Sequence, residues 1–234
     1  MTRRFLPGLL ITLGVLALGL LVAFTVGRYP VTLAELIEVL VSRPTGRATT
    51  VPPAVENVVL LVRGPRVVAA VLVGGALAVA GTAFQGLFRN PLVSPDILGA
   101  SSGAALGAGV GLVKYLADPY NQLPAMTFWL LGSLAATTIS DLLPLTGPVA
   151  VGTIVLIALR WRLNVMSLPE DEARALGLAT GPFRIAIVAA ATLVTSASVA
   201  TSGIIGWVGL VVPHLARALV GPDFPRLIPI SPLH

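Results

Sequence analysis

RGPRVVAAVLVGGALAVAGTAFQGLFRNPLVSPDILGASSGAALGAG, residues 63–109, contains a charge-free run of 22 residues between Arg66 and Arg89. A helix rises about 1.5 Å per residue and needs about 20 apolar residues to cross a bilayer core, so this run is long enough to span one. Small residues recur through it at near-helical spacing, at Gly74, Ala78 and Gly81, and again at Gly99, Gly103 and Gly107. The second set is a doubled four-residue glycine repeat, which lets one helix backbone press against another in lipid. Between the two spans stands a polar elbow, Arg89-Asn90-Pro91, followed by Ser94-Pro95-Asp96. Serine as cap, proline at the first helical position and an acid in the first turn predict a new helix start. The stretch reads as a helical hairpin built to pack against other helices in a membrane.

The composition agrees. Of 234 residues, 56% are hydrophobic and 11% charged, and mean hydropathy is +0.93, whereas a soluble domain carries roughly 25% charged residues. Charges fall irregularly, which excludes an outer-membrane barrel with its strict alternation. Helices are then the remaining way to satisfy the backbone in lipid. The expected fold class is all-α, a polytopic transmembrane bundle of about six spans forming a single domain over residues 1–234. The net charge of +5 is no nucleic-acid footprint, because the arginines stand at the ends of apolar runs rather than clustered with aromatics. Zero cysteines exclude disulfides and thiolate chemistry, and two histidines, one of them the final His234, argue against a metal site. No cofactor is implied.

Taken in order, the chain opens with Arg3-Arg4 and an apolar run from Phe5 to Gly27. The run is longer than a signal-peptide core and lacks an A-x-A-like exit, so it reads as a first span with a cytoplasmic N-terminus. Residues 28–62 carry Pro30, Pro44, Pro52 and Pro53 and are expected to form an external loop holding one short amphipathic helix near 32–40. The second and third spans are placed at 67–88 and 97–113, an external loop at 114–126, and Phe128-Trp129-Leu130-Leu131-Gly132 at an interface. A fourth span covers 142–159, with Pro144 and Pro148 inside it. A cytoplasmic connection follows at 160–184, holding Arg160, Arg162, Arg174, Arg184 and Glu170-Asp171-Glu172. The fifth span is placed at 185–200. The uncharged run then continues to Ala216, broken at Ser202-Gly203 and Gly206 and interrupted by Pro213. This orientation puts Arg89 and the four-arginine connection inside. It leaves Arg28, Arg43, Arg47, Arg63 and Arg66 outside, against the positive-inside rule, which invites a functional explanation for them.

No span carries an acid or base near its middle, as ion-coupled carriers and intramembrane enzymes need. No G-x-x-x-x-G-K-[ST] loop is present, so the chain is not expected to be an enzyme or to bind ATP by that route; a partner would have to. Leu168-Pro169-Glu170-Asp171-Glu172-Ala173-Arg174-Ala175-Leu176-Gly177 reads as a two-turn helix with proline and acids at its start and glycine at its end. A helix this short needs something to hold it; it is either a solvated connector or a docking surface. Arg63 and Arg66, one turn apart, either snorkel from a helix end or form a socket for carboxylates of an external partner. Asn90, Ser101 and Ser102 read as caps or helix–helix glue, and Gln85 as a packing hydrogen bond rather than a ligand. His214, beside Arg217, reads as structural.

Residues 63–108 are very similar to the signature region of the FecCD/BtuC-type permease family, the membrane subunits of bacterial ABC importers for iron-siderophore, haem and cobalamin. FWLLGSL (128–134), LNVMSLPEDEARALGL (163–178) and GIIGWVGLVVPHLARALVGPDFPRLIP (203–229) resemble further family segments in family order. The resemblance implies an inner-membrane, multi-pass permease that pairs with a second permease subunit, identical or not. It also implies two ABC ATPase subunits beneath and a substrate-binding protein above. In the family, arginines matching Arg63 and Arg66 receive acids of the binding protein, and the segment matching Leu168 to Gly177 rests in the ATPase cleft. Two departures stand out. Between Gly111 and Phe128 there are too few residues for the two spans expected there, and the chain stops before the last two. The reading is an importer permease with iron-siderophore as leading cargo; the alternative is a truncated, non-transporting scaffold or a damaged gene product of the same family.

Overall fold

The structure, a computed structural model, describes residues 5–46, 48–95, 99, 102–103, 132–177, 180–205 and 207–220. Among them all regular structure is helical, and four helices are long and apolar enough to cross a membrane. Helix α1 (Phe5–Thr25) is the first of these and the most exposed. Helix α2 (Leu33–Thr45) is short and one-sided. Its start is fixed by a reciprocal capping box, Thr32 N donating to Glu35 Oε2 at 2.8 Å and Glu35 N to Thr32 Oγ1 at 3.3 Å. Its end is fixed by Gly46 in the left-handed region, where only glycine is unpenalised. The buried Leu36 and Val39 pack with Val51, Val55 and Val59.

Helix α3 (Pro53–Leu87) is the longest, at 35 residues. At about 1.5 Å per residue it is roughly 52 Å long, well beyond a hydrocarbon core of about 30 Å. Between Val58 and Arg63 its hydrogen bonds widen by one residue, closing with Gly64 N to Val59 O, which makes a π bulge. Residues 28–62, expected as a loop with one short helix, therefore hold α2 and the first turns of α3. The prolines did not prevent this. Pro52 caps α3 and Pro53 opens it, where a missing N–H costs nothing.

After the elbow at 88–95, most of the third span, the 114–126 loop and most of the Phe128–Gly132 segment lie outside the described residues. Helix α4 (Ile139–Ala158) follows, its start set by Thr138 N donating to Asp141 Oδ2 at 2.8 Å. Next come α5 (Arg160–Met166), α6 (Glu170–Ala175), α7 (Thr180–Ser202) and α8 (Val208–Val220). The connection predicted at 160–184 is mostly helical, and Arg184 already belongs to the first turns of α7. The break after Ser202 falls where predicted, with Gly203 at φ 73°. Pro213, expected to interrupt the next element, sits inside α8 without ending it. At 13 described residues α8 is about 20 Å long, shorter than a bilayer core, and the expected count of about six is not reached among the described residues.

Helix α3 lies at the centre, against α4, α7 and α8. Every residue from Gly75 to Leu87 is buried. The closest approach is between Gly81 and Gly209 of α8, where a side-chain carbon on Gly81 would fall on the Gly209 carbonyl. On α4, a carbon added to Gly152 would lie 2.9 Å from Ala190 O of α7. Lipid tails are as apolar as leucine, so such close packing, rather than hydrophobic exclusion, holds helices together here. The glycine expectations divide accordingly. Gly81 is a contact glycine, but Gly74, Gly99 and Gly103 face nothing within 4 Å, and Gly107 lies outside the described residues. Gly99 has φ 78°, a turn conformation rather than a helix-packing one.

Gly81→Ala is expected to force α3 and α8 apart and to cost about 1–3 kcal/mol, as overpacking does. Gly74→Ala should be close to neutral; thermal unfolding of the two variants in one detergent checks the contrast.

Candidate functional site

The two ends of α3 carry the polar groups singled out in the sequence. At the Arg63 end, the two arginines do not form a matched pair. Arg66 is exposed, while Arg63 is only 9% exposed. The Arg63 guanidinium donates from Nη1 to Phe24 O and from Nη2 to Tyr29 O. It thus satisfies a carbonyl left without a partner at the end of α1 and one in the following turn. The π bulge ends at this residue. Arg63 therefore does not stand on an exposed rim: a buried guanidinium takes partners wherever backbone carbonyls are unsatisfied. Arg66 and Arg28 border the mouth of an open groove of about 1070 Å³ between α1 and α3, otherwise lined mainly by aliphatic side chains and glycine.

Close by, Glu38 of α2 ties down the segment that leads into α3. Its Oε1 accepts from Thr50 N at 2.6 Å and Thr50 Oγ1 at 2.8 Å. The backbone bond, then the hydroxyl bond, hold its carboxyl below the usual carboxylate range. A second cavity, of about 660 Å³, opens between α4 and α7 and includes Thr137, Asp141 and Thr201.

At the Arg89 end, Gln85 is buried and its amide bonds on both sides. Its Oε1 accepts from Arg217 Nη2 of α8, and its Nε2 donates to Leu210 O at 3.4 Å. The packing role read for Gln85 is what the structure displays; its partner Arg217, 132 residues away in sequence, carried no local signal. Asn90 Oδ1 accepts from Leu92 N at 2.9 Å, turning the chain at the exposed Pro91. Ser102 is exposed, and Ser101 lies outside the described residues.

The segment Leu168 to Gly177 folds as read. Pro169 precedes α6, Glu170, Asp171 and Glu172 fill its first turn, and Gly177 at φ 80° follows Leu176 and ends it. Ala173 is the buried contact, whereas Asp171, Glu172, Ala175 and Leu176 are exposed. What holds so short a helix is now visible. Glu170 meets Arg174 at 2.7 Å and Arg184 of α7 at 3.9 Å, and Arg89 Nη1 donates to Leu168 O at 3.4 Å. The arrangement offers an acidic, exposed helix packed against α5 and α7, with the residue Leu168 ahead of it bonded to Arg89 just beyond α3. No cluster of metal-ligating side chains occurs among the described residues.

The sequence profile described as the FecCD transport family matches residues 15–124 and again 108–234, the two matches overlapping at 108–124. The chain is 32% identical to the molybdate import system permease protein MolB of Haemophilus influenzae over 281 aligned positions, covering 96% of this chain and 81% of that one. It is 31% identical to the hemin transport system permease protein HmuU of Yersinia pestis, covering 77% and 72%. It is also 31% identical to the cobalamin import system permease protein BtuC of Halobacterium salinarum, covering 78% and 64%. A solved inward-facing structure of an ABC transporter assigned to the metal-chelate type superposes with a TM-score of 0.76 at 31% identity, covering 96% of this chain and 85% of that one. The 281 positions aligned with MolB exceed the 234 residues of this chain, so that relative carries internal residues this chain lacks. The doubled match at 108–124 overlaps the stretch between Gly111 and Phe128, which is too short for two spans.

Arg63→Ala is expected to leave two carbonyls unpaired and to destabilise by about 1–3 kcal/mol, with faster amide exchange in residues 26–30. Arg66→Ala should stay within about 0.5 kcal/mol; amide exchange and unfolding in detergent separate the two. For Glu38 the folded-state acidity is greater than the unfolded one, so its contribution is complete above the ordinary carboxylate range. It is lost as pH falls through the lowered value. Acidification below that range should speed exchange at Thr50, and Glu38→Gln should produce the same acceleration at neutral pH.

Proposed function

The chain belongs to the FecCD transport family, and we propose that it is the membrane-spanning permease subunit of a bacterial ABC importer carrying a metal-bearing solute inward. The observation that carries this reading is α6: an exposed acidic helix packed against α5 and α7 and linked through Leu168 to Arg89 beyond α3, in a chain with no nucleotide-binding loop of its own. A separate ATPase would grip this helix on the cytoplasmic side and supply the energy. Two states of the helices would then alternate access to a path without ionisable groups at its centre. A second permease subunit and an external binding protein complete the assembly, in the inner membrane. The exposed Arg66, with Arg28, is the docking point proposed for acids of the binding protein, while Arg63 holds the helix ends beneath them.

The cargo class is a chelated or oxo-coordinated metal. Haem and cobalamin fit two of the named relatives, iron-siderophore rests on the family resemblance, and molybdate gains weight because the MolB alignment extends over 96% of this chain. A second reading, a non-transporting scaffold, is favoured by the internal residues that MolB carries and this chain lacks.

Proteoliposomes holding this chain, its ATPase and its binding protein are expected to take up one of radiolabelled molybdate, ferric siderophore, hemin or cobalamin when ATP is supplied. ATPase stimulation without uptake of any of the four would support the scaffold instead. Replacing Glu170, Asp171 and Glu172 by lysine should abolish ATPase stimulation; full stimulation would remove α6 from the coupling role.

A further inference from the structure

Helix α3 ends in a Schellman motif. Asn90 N donates to Gln85 O and Arg89 N to Gly86 O, both at 3.2 Å, which are the 6→1 and 5→2 bonds of that motif. The residue at its left-handed position is normally glycine, because any side-chain carbon there crowds the backbone. Here it is Arg89, at φ 52°. Glycine would close the helix at lower cost, so a structural role for the backbone alone does not account for arginine. What arginine adds is its side chain, which crosses to Leu168 O at 3.4 Å, two residues ahead of α6. Backbone strain kept at a site that something else must justify is a mark of function.

The surroundings are stiff. Leu87, Met166, Ala173 and Thr180 are all buried at this junction, and the segments close on a void of only about 10 Å³, barely one water's room. A packed junction transmits displacement instead of absorbing it. On its other side α6 is held to α7 through Glu170 and Arg184.

We propose that Arg89 is a positioning residue that tethers the segment entering α6 to the end of α3, so that movement of α6 is delivered straight to the buried shaft of the bundle. This rests on α6 being the ATPase contact, as argued above. Movement enters the bundle at two points, Arg89 into α3 and Glu170–Arg184 into α7, and the two helices shift together. The chain has no cysteine, so spin labels can be placed at will.

The test uses the assembled complex with its ATPase, labelled at Phe88→Cys and Ala175→Cys, with the inter-label distance measured with and without ATP. In the otherwise native chain the distance distribution should stay unchanged, since α6 and α3 travel as one. Arg89→Gly removes the guanidinium and relieves the backbone. It should melt no lower than the native chain and still stimulate the ATPase, yet its distance distribution should at least double in width and shift when ATP binds. Arg89→Asn, which also accepts a left-handed backbone, should behave alike, and Arg89→Lys should restore much of the native distribution. Native-like distributions in both Arg89→Gly and Arg89→Asn would overturn the tether while leaving α6 as the ATPase contact. Failure of the native chain to engage the ATPase would overturn that reading itself, and the tether with it.

Discussion

The bundle depends on backbones that touch. Gly81 and Gly209 bring α3 and α8 so close that no side chain fits between them, and Gly152 does the same for α4 and α7. In lipid there is no water to flee, so the attraction available is dispersion at short range, and it falls off steeply with separation. Glycine is what permits the approach. The same close packing buries polar side chains, which are satisfied locally: Thr82, Thr195, Ser198 and Ser202 each donate to the carbonyl four residues earlier at 2.8 Å. Small hydroxyl side chains can thus fill the seam without leaving an unpaired donor.

Close packing through the middle leaves the ends to carry the polar work. α3 is about 20 Å longer than a hydrocarbon core is thick, so its arginines and its elbow reach the two faces. At one end Arg63 stitches α1 to the π bulge of α3. At the other, Gln85 joins α8 and Arg89 joins the entrance to α6. A helix with nothing ionisable in its buried stretch offers no internal site for a proton or cation to act on, which suits a device moved from its ends. Helix α1, with most of its apolar surface uncovered, contributes little to this core and presents itself to lipid or to a neighbour.

Much of this was legible in local sequence. Charge-free runs bounded by charged residues marked α1, α3, α4 and α7, because the length of an apolar run is set by bilayer thickness. Pro169, three acids and Gly177 marked α6, since cap chemistry acts within one or two turns. Other signals misled. Prolines between 30 and 53 suggested a loop, yet Pro52 and Pro53 sit where helices begin. Gly74 and Gly81 looked alike in the sequence, although only Gly81 meets a neighbour, because which face of a helix is covered is decided by the other helices.

By itself the sequence determined that this chain is a helical membrane protein, where four of its spans run, and that a short acidic helix stands between two of them. Those outcomes follow from hydrophobic length, caps and turns, all local. Only the tertiary structure decided that Arg63 is buried while Arg66 is free, that Arg217 belongs to Gln85, and that Arg89 reaches Leu168. Each of these joins residues between 34 and 132 positions apart, and such contacts have no trace in composition or periodicity until the helices are packed.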